Sequence, residues 1–150
     1  MGCVTGKPVE GVGIAGRTEA TGRGVQFAIH AFFQSERDRT QAGFASDHLN
    51  GRTVVVQGLG NVGSHAAQFP SQEDGCKITA VIERDGVVRN ADGLDIAALK
   101  AHQRATGRIK GFSGGTYDSD GAGALVDACD ILIPAALESV IHADIRYLET

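Results

Sequence analysis

A β-branched run, Thr53-Val54-Val55-Val56-Gln57, leads straight into Gly58-Leu59-Gly60-Asn61-Val62-Gly63. A second apolar run and then an acid, Glu83, follow about twenty residues on. Strand, Gly-x-Gly-x-x-Gly turn, helix start, second strand and terminal acid are the order of a dinucleotide-binding βαβ unit. Each glycine has a separate task. Gly58 permits the tight strand-to-helix turn, Gly60 leaves room for a pyrophosphate against the backbone, and Gly63 lets helix and strand pack closely. The unpaired N–H groups near Asn61 and Val62 then face phosphate oxygens. Glu83 stands where a carboxylate accepts ribose hydroxyls and repels a 2′-phosphate, which leans toward NAD. Arg84 beside it partly offsets that repulsion and leaves NADP open.

A bare Gly-x-Gly-x-x-Gly is weak evidence, and this chain holds a second copy, Gly11-Val12-Gly13-Ile14-Ala15-Gly16. No strand precedes that copy and no spaced acid follows it, so it reads as loop. Thr5-Gly6-Lys7-Pro8 resembles the end of a P-loop, but its first glycine is missing and Pro8 replaces the Ser/Thr.

Around the motif the periodicities alternate. Residues 18–34 read as a helix with Val25, Ala28, Ile29, Phe32 and Phe33 on one face, and residues 35–51 as a polar loop. The Thr53–Gln57 run lacks alternation, as in a parallel strand covered on both faces. The motif helix starts near Asn61 and turns Val62, Ala66 and Phe69 inward. Pro70 is expected to end or kink it, because an interior proline removes a hydrogen bond and clashes with the preceding turn. Strands follow at 77–82 and 130–133, with a short extra one at Val87-Val88. Asp95 reads as the N-cap of a helix over 96–105 that Gly107 stops. Residues 122–127 read as a short helix, with Asp118 and Asp120 before it as caps. The fold class is α/β: a single doubly wound, Rossmann-like parallel sheet over residues 1–150, helices on both faces, incomplete at its C-terminal end.

Composition narrows the partners. The net charge is −4 and no basic run of five or more occurs, which argues against nucleic acid and anionic membrane surfaces. No apolar run approaches the roughly 20 residues of a membrane span, and no apolar segment follows Met1 as a secretory signal would. Cys3, Cys76 and Cys129 fit neither a zinc pattern nor a disulfide framework, so a reduced cytoplasmic setting is expected. No metal-ligand spacing is found among the five histidines. The 21 glycines beside 3 prolines indicate many tight turns.

Four segments together resemble the glutamate dehydrogenases of the glutamate, leucine, phenylalanine and valine dehydrogenase family. They are Gly16-Arg17-Thr18-Glu19-Ala20-Thr21-Gly22-Arg23-Gly24, Gln57 through His65, Asn90-Ala91-Asp92-Gly93-Leu94-Asp95, and Ile131-Leu132-Ile133-Pro134-Ala135-Ala136-Leu137-Glu138. The resemblance implies NAD(P)-linked oxidation of L-glutamate to 2-oxoglutarate and ammonia. It implies Thr21 near the nicotinamide amide, Asn61 and Val62 at the pyrophosphate, Glu83 at the adenine ribose, and Ala135 and Ala136 along the nicotinamide side. It further implies a substrate domain ahead of this segment, supplying the catalytic lysines and an Asp, that this sequence lacks. Lys7, Lys77, Lys100 and Lys110 match none of those contexts and read as solvated charges. No catalytic residue is therefore assigned. The expectation is dinucleotide binding without turnover, glutamate or 2-oxoglutarate being engaged only with the missing domain, and a homo-oligomer as in full-length relatives. A non-catalytic dinucleotide module, a remnant without function and another amino-acid dehydrogenase of the same fold stay open.

Overall fold

The computed structural model describes residues 16–136. The lead-in with Cys3, Lys7, Gly11 and Gly13 and the C-terminal stretch with Leu137, Glu138 and His142 lie outside the described residues.

The elements run α1 (Ala20–Gln34), α2 (Glu36–Gln41), β1 (Thr53–Gln57), α3 (Asn61–Glu73), β2 (Lys77–Glu83), β3 (Gly86–Arg89), α4 (Ile96–Thr106), β4 (Thr116–Asp118), a short 3-10 turn (Gly123–Val126) and β5 (Ile131–Pro134). They build one five-stranded sheet in the order β4-β3-β2-β1-β5. Strands β2, β1 and β5 are parallel, while β3 and β4 extend the sheet antiparallel through the Asp85-Gly86 turn. The fold is α/β with a mixed sheet whose three parallel strands carry the expected βαβ unit. From β1 the chain crosses to β2 on one side and returns to β5 on the other. That reversal places a topological switch point at the C-terminal end of β1, where open α/β sheets bind ligands.

The non-alternating run of β1 is explained by two cores. Val54 and Val56 face one cluster with Leu59, Ala66, Ile78, Val81, Leu99 and Ile109, against α3 and α4. Val55 faces a second, with Ala80, Ile82, Val87 and Ala124 of the 3-10 turn. All three valines are buried, at roughly 1.5–3 kcal/mol each. Asp130 fixes the start of β5 beside β1, accepting from Thr53 N–H at 2.8 Å and Thr53 Oγ1 at 3.1 Å. Asp95 caps α4 through Ala98 N–H at 2.9 Å, and Gly107 ends it with φ +75°. Asp120 accepts from Gly123 N–H at 2.8 Å at the start of the 3-10 turn.

Two expectations about helices are corrected in part. Helix α3 continues through Pro70 to Glu73. The missing N–H costs one bond near the C-terminal end, the proline is fully buried, and its carbonyl accepts from both Asp74 N–H and Cys76 N–H to close the helix into β2. In α1 the expected apolar face packs in part: Phe33 is buried and Val25 and Ile29 lie half-buried against the core, while Ala28 is exposed and Phe32 is 38 % exposed. Beside that face Gly22 and Gln26 are buried in a polar seam onto α3. Gln26 donates to Asp74 at 2.8 Å, His30 meets Asp74 at 2.9 Å, and Arg23 pairs with Glu73 while lying 3.5 Å over the Phe69 ring centroid. The outer edge of the apolar face, Ala28 and Phe32, borders an open groove beside β5. Helix α2 and strand β4 were not expected from sequence. Helix α2 buries no residue, and β4 is three residues in a glycine-rich stretch, so neither shows hydrophobic periodicity.

Candidate dinucleotide site

The C-terminal ends of β1, β2 and β5 converge on a cleft of about 470 Å³ lined by Gln57, Gly58, Gly60, Ile82, Glu83, Arg84, Ala135 and Ala136. A larger groove of about 590 Å³ between α1 and β5 is mainly apolar, and its one charged lining residue, Asp130, is already bonded to Thr53. The cleft at the switch point holds Gly58 and Gly60 of the turn together with Glu83.

The three glycines of the turn have different reasons to be glycine. Gly58 has φ +87°, and a Cβ there would lie 2.8 Å from Ala135 O. A Cβ on Gly63 would lie 1.9 Å from Gly58 O. Both positions are closed by the protein's own packing. Gly60 differs: its φ is −71°, a conformation any residue adopts, and a Cβ there meets nothing within 4 Å. The protein itself gives no steric reason for glycine at 60. Gly60 is the N-cap of α3 and no side chain caps the helix. The first N–H groups of a helix have no intrahelical partner, so those of Asn61 and Val62 begin α3 with their donors unspent on the helix. They carry the positive end of its dipole. Asn61 is exposed and donates through Nδ2 to Thr18 O at 2.7 Å, tying the entry of α1 to the turn; Val62 is half-buried.

Glu83 sits at the end of β2 beside the turn, and Oε1 accepts from Leu59 N–H at 2.6 Å and from Gln103 Nε2 at 3.0 Å. One oxygen is thus engaged by the protein, so the carboxylate is not wholly available to a ligand. Arg84 follows it, exposed on the cleft rim.

Residues 12–147 match the family described as Glutamate/Leucine/Phenylalanine/Valine dehydrogenase. The chain belongs to this family. A probable glutamate dehydrogenase of Sinorhizobium fredii is 51% identical over 143 residues, 95% of this chain and 32% of that protein. The NADP-specific glutamate dehydrogenase A1 of Halobacterium salinarum is 38% identical over 146 residues, 97% of this chain and 33% of that protein. Among solved structures, a hetero-hexameric glutamate dehydrogenase from Thermus thermophilus in its Leu-bound form superposes with a TM-score of 0.75 at 30% identity, covering 95% of this chain and 30% of that one. The chain spans about a third of the length of the curated relatives it matches.

Of the remaining expected residues, Ala135 and Ala136 line the cleft and Thr21 does not. Ala135 and Ala136 follow β5 and line the cleft opposite Glu83, with Ala135 N–H donating to Gln57 O at 2.8 Å. Thr21 is exposed in the first turn of α1. It is carried toward α3 by Gly22, where a Cβ would lie 2.4 Å from His65 Cβ. His65 stacks on Phe69 at 5.9 Å and contacts Asn61 O at 2.7 Å, a packing role. No group of three or more His, Cys, Asp or Glu fit for a metal occurs among the described residues, and no helix there is long and apolar enough to cross a membrane.

The reading of Lys100 as a solvated charge is corrected. Lys100 is half-buried on α4, and Nζ donates to Leu59 O and to Gln103 Oε1, the latter at 2.9 Å. Burial pushes its pKa below the usual lysine value, Arg104 adds to the fall, and Glu83 opposes it. Sequence reasoning also passed over Gln103. The available signal was spacing, since 100 and 103 are one helical turn apart on α4, but nothing in the sequence aims that face at the glycine turn. Lys77 and Lys110 are exposed, as expected.

Proposed function

We propose that this chain holds the dinucleotide of an NAD(P)-dependent amino-acid dehydrogenase acting on glutamate. The observation that carries the reading is Gly60. The protein's packing requires glycine at 58 and 63 but leaves position 60 open. A phosphate group against the backbone supplies the missing reason. The relatives' names, both glutamate dehydrogenases, supply the substrate.

In this reading the N–H groups of Asn61 and Val62 receive the pyrophosphate at the start of α3. The free oxygen of Glu83 accepts from the adenine ribose. Arg84 on the rim tempers the carboxylate's repulsion of a 2′-phosphate, and NAD is the favoured cofactor. Thr21, Ala135 and Ala136 border the nicotinamide half. Bound NAD(P) supplies the hydride acceptor for converting L-glutamate to 2-oxoglutarate and ammonia. This chain contributes cofactor orientation and no acid–base group. The substrate-holding lysines belong to a part of the family's architecture outside this sequence. Assembly into an oligomer belongs to the same reading, supported by the hexameric Thermus thermophilus structure.

Calorimetric titration of the 150-residue chain with NAD and with NADP tests it. Saturable binding of NAD, with no oxidation of glutamate by the chain alone, is expected. Absence of saturable binding by both dinucleotides, in protein shown to be folded, overturns the proposal.

A further inference from the structure

Glu83 is held from behind by a relay on α4. Lysine can only donate, so Lys100 fixes Gln103 with Oε1 toward Nζ. That orientation commits Gln103 Nε2 to Glu83 Oε1, 3.0 Å away. The same carboxylate oxygen takes Leu59 N–H at 2.6 Å, and Lys100 also takes Leu59 O. The Leu59 peptide, inside the glycine turn, is thereby gripped at both its N–H and its carbonyl. Glu83 Oε2 makes no hydrogen bond among the described residues, and Glu83 lines the cleft.

We infer that Gln103, set by Lys100, is a positioning residue that determines the choice between dinucleotides by locking the Glu83 carboxylate in place. The inference rests on the cofactor reading above. A locked carboxylate offers Oε2 to ribose hydroxyls and cannot swing away from a 2′-phosphate. It therefore favours NAD twice, by an aligned acceptor and by a like charge that stays put. Without the relay, Glu83 keeps only Leu59 N–H and gains rotamer freedom. An NAD complex must then order the carboxylate, while an NADP complex is relieved of part of its repulsion. The glycine turn contacts a pyrophosphate common to both cofactors, so damage to the turn alone weakens both equally. The ratio of affinities separates the two effects.

The test is titration of NAD and NADP into wild type, Gln103→Leu and Gln103→Glu, each checked by its thermal midpoint. Gln103→Leu keeps a similar volume on a half-buried position and removes the donor to Glu83. Gln103→Glu keeps an acceptor for Lys100, so the helix face stays paired, but sets a second carboxylate against Glu83. For Gln103→Leu the expected result is a roughly tenfold loss of NAD affinity, the scale of one hydrogen bond to a charged group, with NADP affinity changed less than about twofold. For Gln103→Glu the NAD loss is larger, because the second carboxylate pushes Glu83 from its place, and NADP gains nothing, because the added negative charge also repels a 2′-phosphate. For Gln103→Leu, equal losses for both cofactors or an unchanged ratio overturn the relay and leave the cofactor reading standing. Failure of folded wild type to bind either dinucleotide overturns the cofactor reading, and the relay's role with it.

Discussion

Replacing Gly60 by Asp separates stability from binding, because the two should move in opposite directions. Position 60 is the N-cap of α3, has φ −71° and ψ −162°, and has open space where a Cβ would stand. Aspartate is among the best N-cap residues and glycine is only slightly worse, so the cap itself gains a few tenths of a kcal/mol. A carboxylate at the positive end of the helix dipole adds about 0.3–1 kcal/mol. The variant should therefore melt at or slightly above the wild-type temperature, by about 1–3 °C for a domain of this size. A dinucleotide pyrophosphate at the turn meets the new charge. At about 5 Å and an effective dielectric near 20, each like-charge pair costs roughly 3 kcal/mol. One such pair is roughly a hundredfold in affinity. Scanning calorimetry and NAD titration on the same preparation check both halves. An NAD affinity within about threefold of wild type would refute the assignment of the turn to a phosphate, whatever the melting temperature does.

Gly63→Ala tests the packing reason for glycine: its Cβ would lie 1.9 Å from Gly58 O, so unfolding by urea should show a loss of about 1–3 kcal/mol from overpacking. The Arg23–Glu73 pair sets an acid limb. The hydrogen bond from Arg23 holds the Glu73 carboxyl below its usual value. A depressed carboxylate stabilises the fold above its unfolded pKa of about 4.3 and loses that contribution as pH falls through the folded value. Glu73→Gln should flatten the melting temperature against pH in that window and leave it unchanged in slope near neutrality. Burial pushes the Cys76 thiol to about 11 and raises Cys129 as well. Native protein at pH 7.5 should alkylate both slowly and denatured protein rapidly, as followed by mass spectrometry; fast labelling of Cys76 in folded protein would contradict its packing under Leu49.

Strands β1 and β2, the start of α3, and α4 with its Asp95 cap and Gly107 stop were legible because local signals agreed with the final packing. Buried valines, N-cap chemistry and left-handed glycines leave marks within a few residues. The errors arose where distant contacts decided. Local rules have Pro70 end or kink the helix, yet its burial and the two N–H groups that converge on its carbonyl outweigh one lost bond and the helix runs on to Glu73. The apolar stripe of α1 packs on the core only through Phe33, Val25 and Ile29, because Arg23, Gln26 and His30 find partners at α3, across more than forty residues of sequence, and Ala28 and Phe32 are left at the groove. The glycines of the turn and Glu83 were visible as a motif, while the grip on Glu83 was not, because Lys100 and Gln103 reach it only after α4 packs beside α3.

That difference bears on how such a site works. A motif records positions whose residue type is forced by close approach, of the protein's own backbone at Gly58 and Gly63 and, in the proposed reading, of a ligand at Gly60. What aims those groups is left to neighbours whose own residue types are unremarkable. Here a single carboxylate oxygen, Oε1, is spent on Leu59 and Gln103, and Oε2 has no hydrogen bond among the described residues. An acid at the end of β2 therefore does not by itself specify a cofactor. The same Glu83 on a chain without a donor at 103 would be free to rotate, and a carboxylate that can leave a 2′-phosphate discriminates weakly. On the proposed relay, preference between the two dinucleotides is a property of α4 as much as of β2.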